Sequence, residues 1–121
     1  MKVKFQADND LDRMIVRGLL RRLPGADFQS EPLTAVEDFA VLELAAQAGR
    51  IVVSHDVKTM PPAFAGYRRT SHSPGVLLTP QLWPIADAIE HLVLIWELTE
   101  ASEWHDRICY LPTFADFHLP E

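Results

Sequence analysis

The sequence predicts an α/β domain of three layers, α/β/α, built around a mostly parallel sheet of about five strands. Three observations predict it. Short apolar segments alternate along the chain with longer segments of helical periodicity, which is the order of β–α–β crossovers. The segment Arg50-Ile-Val-Val-Ser54 is continuously apolar, as in a strand covered on both faces. Turn residues such as Pro24-Gly25 and Gly49 fall between these segments.

Each element follows in order. Val3, Phe5 and Ala7 alternate with polar residues, which predicts a first strand ending at Asp8. A helix is expected over about 10–23, with Leu11, Met14, Ile15, Leu19 and Leu23 as its apolar stripe and Asn9 or Asp10 as N-cap. Pro24-Gly25 ends it, and 26–29 reads as a short second strand. A second helix is expected over about 35–48. Thr34 is its N-cap, Glu37 completes a capping-box spacing, and Gly49 stops the helix. Arg50–Ser54 is the third strand, with His55-Asp56 at its carboxyl end. The stretch 57–73 is expected to be irregular and partly helical, with Pro61-Pro62 in its middle. Gly75–Leu78 is the fourth strand. Pro84 then suits the first turn of a long apolar helix carrying Ile85, Ile89, Leu92, Val93 and Trp96. Arg107–Leu111 is the fifth strand. Right-handed crossovers are expected throughout, with ligands beyond the carboxyl ends of the strands.

A chain of 121 residues suggests a single domain over 1–121, large enough to bury a core without disulfide or structural metal. Its 48% hydrophobic content argues against disorder. Cys109 is the only cysteine, which fits a reducing compartment. The start MKVKFQADND is too short and polar for a signal peptide. The longest apolar run, Leu92–Trp96, falls far below the roughly 20 residues that span a bilayer, so no membrane partner and a cytoplasmic location are expected. A net charge of −6 opposes a protein that coats nucleic acid. It is compatible with a nuclease whose metal and local basic residues meet the substrate.

The candidate chemistry lies in the acids. Asp8 ends the first strand, Asp56 follows the third, and Asp38 falls in the first turn of the helix leading to the third. All are expected at one edge of the sheet, with Asp10 and Glu37 nearby as additional candidates. Carboxylates crowded in this way repel unless a cation or proton intervenes, and hard oxygen ligands select Mg²⁺ or Mn²⁺. Each acid also has a structural alternative. Asp8, Asp10 or Asp56 would cap a local turn, and Asp38 would favour a helix dipole. His55 is expected to hydrogen-bond rather than ligate. His72, His91, His105 and His118 lack metal-site spacing, and Cys109 reads as core. Arg13, Arg17 and Arg21 form a basic stripe at i, i+4, i+8. With Lys58, Arg68 and Arg69 they are candidates for contacting a phosphate backbone, the alternative being a solvated face.

These residues resemble a known family. FQADNDL is similar to the opening block of the bacterial PIN-like domains of unknown function. EDFAVLELAAQAGRIVVSHDVKTMP resembles their next block, an acid on a helix, a glycine turn, a strand and a His-Asp pair. GVLLTPQ, AIEHLVLIWE and YLP resemble the closing blocks of one subgroup. The resemblance covers nearly the whole chain. It implies a PIN-like fold and, as in the wider PIN nuclease superfamily, a metal-dependent ribonuclease site containing Asp8, Asp38 and Asp56. The chain departs from the pattern after Asp56, where Val57-Lys58-Thr59-Met60 replaces a second acid and a phenylalanine, so no fourth acidic ligand is assigned.

The function expected is hydrolysis of single-stranded RNA by a Mg²⁺- or Mn²⁺-dependent endoribonuclease, toxin-like in character, with Arg13, Arg17 and Lys58 binding substrate. One alternative is a receiver-like phospho-acceptor signalling domain. The acids after strands one and three fit it, but the fifth strand lacks a lysine. Another is a catalytically inactive PIN-like binding module. In that case Trp104, Tyr110, Phe114 and Phe117 would meet a second copy, forming a homodimer, or an antitoxin-like protein.

Overall fold

The computed structural model describes residues 1–30 and 37–112. Strand β1 (Phe5–Ala7) pairs on one side with β2 (Phe28–Gln29) and on the other with β3 (Ile51–Ser54). Beyond β3 come β4 (Val76–Leu78) and β5 (Ile108–Tyr110). All pairings are parallel, and the order is β2-β1-β3-β4-β5. Such a sheet must bury both faces. Helices α1 (Arg13–Arg22) and α4 (Ile85–Leu98) cover the face formed by Phe5, Ala7, Ile51, Val53, Leu77 and Cys109. Helices α2 (Asp38–Ala48) and α3 (Met60–Arg68) cover Val52, Val76 and Leu78. The expected three-layer α/β/α fold is therefore present. Gln6, which reads as the wet side of β1, is buried instead, and its amide donates to Gln29 O at 3.4 Å.

The crossovers do not all share one hand. The chain steps outward from β1 to β2 over the α1 face, then back past β1 to β3 over the α2 face. Reversing both direction and face preserves the hand, and α3 continues it to β4. The last step, β4 to β5, runs in the same direction as its predecessor, but α4 lies on the α1 face. Its hand is thus opposite to the other three, contrary to the expectation of uniformly right-handed crossovers. The reason is coverage. The face carrying Phe5, Val53 and Leu77 is too broad for α1 alone, whereas α2 and α3 already occupy the other. Helix α4 docks closely because α1 presents Gly18 to it. A Cβ at Gly18 would lie 2.2 Å from Ile89 Cδ1. Arg22 Nη1 and Glu90 Oε2 pair across the same contact at 2.8 Å.

Several local expectations change. Helix α1 is capped by Asp12, whose Oδ1 accepts the Met14 N–H at 2.9 Å, and not by Asn9 or Asp10. Asp10 is thereby released from the helix. The described part of the second helix begins at Asp38, with Glu37 at the cap position making no side-chain cap bond, while Thr34 and Ala35 lie outside the described residues. Gly49 ends it in the left-handed region, at φ 70°. The stretch expected to be irregular and partly helical contains α3. Pro61 and Pro62 sit in its first turn, where their missing N–H groups leave no helical bond unmade. Trp104 is core, 3% exposed, and so is not available as a partner surface. Phe114, Phe117 and His118 lie outside the described residues. Among the described residues no helix is long and apolar enough to cross a membrane.

Replacing Gly18 with alanine sets a Cβ against Ile89 Cδ1, and moving that side chain should offset the roughly 1 kcal/mol of helix propensity that alanine gains, so urea unfolding should show no net stabilisation. In an Ile89→Ala background the same substitution should stabilise by about 1 kcal/mol. Strict additivity of the two changes would show that the contact does not set the docking of α4.

Candidate functional site

The register of β1 on β3 builds the first half of the site. Ala7 lies opposite Val53, and the Asp8 N–H donates to Val53 O at 2.9 Å. Asp8 and Ser54 are therefore neighbours on one face of the sheet. Ser54 is fully buried, and its hydroxyl donates to Asp8 Oδ2 at 2.8 Å, with Asp10 Oδ1 at 3.3 Å on the same oxygen. Asp8 Oδ1 accepts the Asn9 N–H at 2.8 Å, and Asp10 Oδ1 accepts the His55 N–H at 3.2 Å. The strand order makes this position special. From β1 the chain leaves to one face and from β3 to the other, so the two loops diverge and open a crevice at the switch point.

The second half is built by the loop after β3. The Asp56 N–H donates to Ser54 Oγ at 2.9 Å. Asp56 Oδ1 accepts the N–H groups of Lys58 at 3.0 Å and Thr59 at 2.8 Å. Asp56 thus caps the turn into α3, as its structural alternative requires. Its Oδ2 contacts the Thr59 hydroxyl, which also lies 2.6 Å from Asp38 Oδ2. That hydroxyl has one proton for two carboxylates. The structure therefore gathers Asp8, Asp10, Asp38 and Asp56 around two hydroxyls, those of Ser54 and Thr59.

Proton affinities divide across the cluster. Burial pushes the Asp8 carboxyl above its ordinary value, the Ser54 and Asn9 bonds oppose this, and the charges of Asp10 and Asp38 add to it. Asp56 is held below its ordinary value, chiefly by the Thr59 hydroxyl and then by the loop amides. Among the described residues, no lysine or arginine is ion-paired with any of the four acids. Among the same residues, no three of these carboxylates offer oxygens within 4.8 Å of one another; the set that does is His72, His105 and Asp106. At these separations one ion could touch at most two of the four carboxylates directly.

The remaining candidates sort by position. His55 is structural. Its Nε2 accepts the Asp12 N–H at 3.3 Å, which leaves Nδ1 to carry the proton and donate to Thr79 O at 2.9 Å. Arg13 and Arg17 are exposed on α1, Arg13 directly after the Asp12 cap and Arg17 one turn farther on. Lys58 is exposed in the loop that caps onto Asp56. Cys109 is buried, as expected. Sequence reasoning missed Ser54 and Thr59. Strand alternation could have found Ser54 beside Asp8, but nothing in the sequence signals Thr59. It also set aside His72 and His105 for want of spacing, although the fold brings them together.

Fold and site define a doubly wound α/β domain with an acidic cluster at its switch point. No protein-family model, curated protein or solved structure matches the chain.

Because its pKa is raised on folding, the Asp8 carboxyl favours the folded state when protonated, and that stabilisation is lost as pH rises through its folded value. In chelator at about pH 7, Asp8→Asn should therefore unfold at higher urea than the parent chain. The gain should shrink in acid and vanish well below the unfolded carboxyl's value of about 3.9, where Asp8 is protonated in both states. A variant less stable than the parent at neutral pH would contradict the role assigned to burial.

Proposed function

We propose that this chain is a metal-dependent endoribonuclease acting on single-stranded RNA, toxin-like, with an antitoxin-like protein as partner. The observation that carries the reading is the cluster of Asp8, Asp10, Asp38 and Asp56 at the switch point, with no lysine or arginine paired to it among the described residues. Such a cluster calls for an external divalent cation. The resemblance to PIN-like domains selects three of these acids, Asp8, Asp38 and Asp56. Asp38 and Asp56, which meet at Thr59, would hold Mg²⁺ or Mn²⁺ directly, and Asp8, with Asp10 beside it, would act through the ion's water. When bound, the cation supplies Lewis-acid polarisation of a phosphodiester and a more acidic water. The chain's own residues do the rest. Asp56, kept anionic by Thr59 and the loop amides, remains a ligand in mild acid. Asp8, with its raised proton affinity, is the carboxyl suited to exchange a proton near the site. Arg13, Arg17 and Lys58 offer exposed charge to phosphates on either side of the crevice.

A second reading, a receiver-like phospho-acceptor, is favoured by the strand order β2-β1-β3-β4-β5, the order of flavodoxin-like folds. One feature weighs against it. The described residues following β5, Leu111 and Pro112, include no lysine.

Purified chain should cleave unstructured RNA with Mn²⁺ and stop on adding chelator. Asp38→Asn and Asp56→Asn should each lower the rate by about a hundredfold or more, as expected when a metal's charge stabilisation is lost. Cleavage that persists in chelator, or equally in both variants, would overturn the proposal. Acid-labile phosphorylation of Asp56 by a small phosphodonor, without nuclease activity, would favour the receiver-like reading.

A further inference from the structure

At the opposite, amino-terminal edge of the sheet, His72 precedes β4, and His105 and Asp106 precede β5. One ligand atom from each lies within 4.8 Å of the other two. His72 Nδ1 is 2.8 Å and His105 Nε2 is 3.6 Å from Asp106 Oδ2. Ligands on a tetrahedral ion with bonds near 2.0–2.2 Å stand roughly 3.4 Å apart, so these separations need only small adjustment. We propose that His72, His105 and Asp106 form a binding site for a borderline transition-metal ion of the Zn²⁺ class, independent of the acidic cluster.

The carboxylate is oriented by what surrounds it. Asp106 Oδ1 accepts the Ser73 N–H at 2.8 Å and pairs with Arg68 Nε at 3.2 Å, which directs Oδ2 to the imidazoles. Arg68 is itself anchored through Nη1 on Ser71 O at 2.7 Å. The Asp106 backbone is in the left-handed region, at φ 63°, and its N–H donates to Ser73 O at 2.7 Å. The two rings lie 5.7 Å apart and 24° from parallel. Both are exposed, His72 at 76% and His105 at 57%, so solvent can complete the coordination. Imidazole donors select Zn²⁺, Co²⁺, Ni²⁺ or Cu²⁺ over Mg²⁺, the reverse of an all-carboxylate site. The ion would take the place of the His72 Nδ1–Asp106 Oδ2 hydrogen bond, with the ring's proton on Nε2. It would also join the turns before β4 and β5, stapling β5, which among the described residues pairs with β4 alone.

The test is titration of the full, untagged chain with Co²⁺ and then Zn²⁺. The expected result is one equivalent of Co²⁺ with tetrahedral visible absorption, displaced by Zn²⁺, and a Zn²⁺-dependent rise in melting temperature. His72→Ala and His105→Ala should each weaken binding by more than about tenfold and remove that rise, while leaving the metal-free melting temperature unchanged because both rings are exposed. Absence of a cobalt spectrum, or Zn²⁺ binding equal in the parent chain and both variants, would overturn the site. Mn²⁺-dependent RNA cleavage should be unaffected by either substitution, so failure here and failure of the nuclease reading are separable.

Discussion

The parallel register of β1 on β3 is the constraint on which the rest depends. It seats Ala7 against Val53 and so makes Asp8 the neighbour of Ser54. A slip of one residue would send Asp8 to the opposite face, against the apolar layer of α1 and α4. Phe5 and Ile51 enforce the register, because both must point into that layer. Asp27 and Arg50 reinforce it at the amino edge, where Arg50 Nε and Nη2 reach the two Asp27 oxygens at 3.1 and 3.3 Å. The hydrophobic pattern of the strands thus determines where a buried carboxylate meets a buried hydroxyl.

Two hydroxyls then organise the acids. Ser54 serves Asp8, Asp10 and the Asp56 backbone, and Thr59 serves Asp38 and Asp56. Neither supplies enough protons for the carboxylates it faces. The result is one acid pushed upward by burial and another held downward by hydrogen bonds, within one crevice. At Asp56 the loop amides take Oδ1 while Oδ2 faces Thr59 and, beyond it, Asp38.

The two ends of the sheet differ in donor chemistry. The cluster at the carboxyl end is built of carboxylates and hydroxyls, and the cluster at the amino end of two imidazoles with one carboxylate. The turn holding His105 and Asp106 follows α4 and the short 3₁₀ segment Ala101–Trp104, so the hand of the last crossover bears on the placement of this second cluster. Trp104 anchors that segment in the core, where its indole N–H donates to Thr99 Oγ1 at 2.8 Å. The same tryptophan restricts the entry into β4. A Cβ at Gly75, whose φ is 123°, would stand 2.5 Å from Trp104 O.

The sequence by itself determined the layers, the parallel sheet and the strand-end location of Asp8 and Asp56. Periodicity and turn residues are local properties, and a strand's carboxyl end is where an α/β sheet presents its ligands. Asp38 was legible as the acid opening a helix. The cap of α1 was not, because Asn9, Asp10 and Asp12 compete for one role and only the chain's path past β3 selects Asp12. Helix α3 was obscured by Pro61-Pro62, which break a helix in its interior but suit its first turn. Only the tertiary structure decided the face on which α4 lies, the hydroxyl hubs at Ser54 and Thr59, and the meeting of His72 with His105 and Asp106. Each of these depends on contacts between residues far apart in the chain, and no spacing along one segment encodes them.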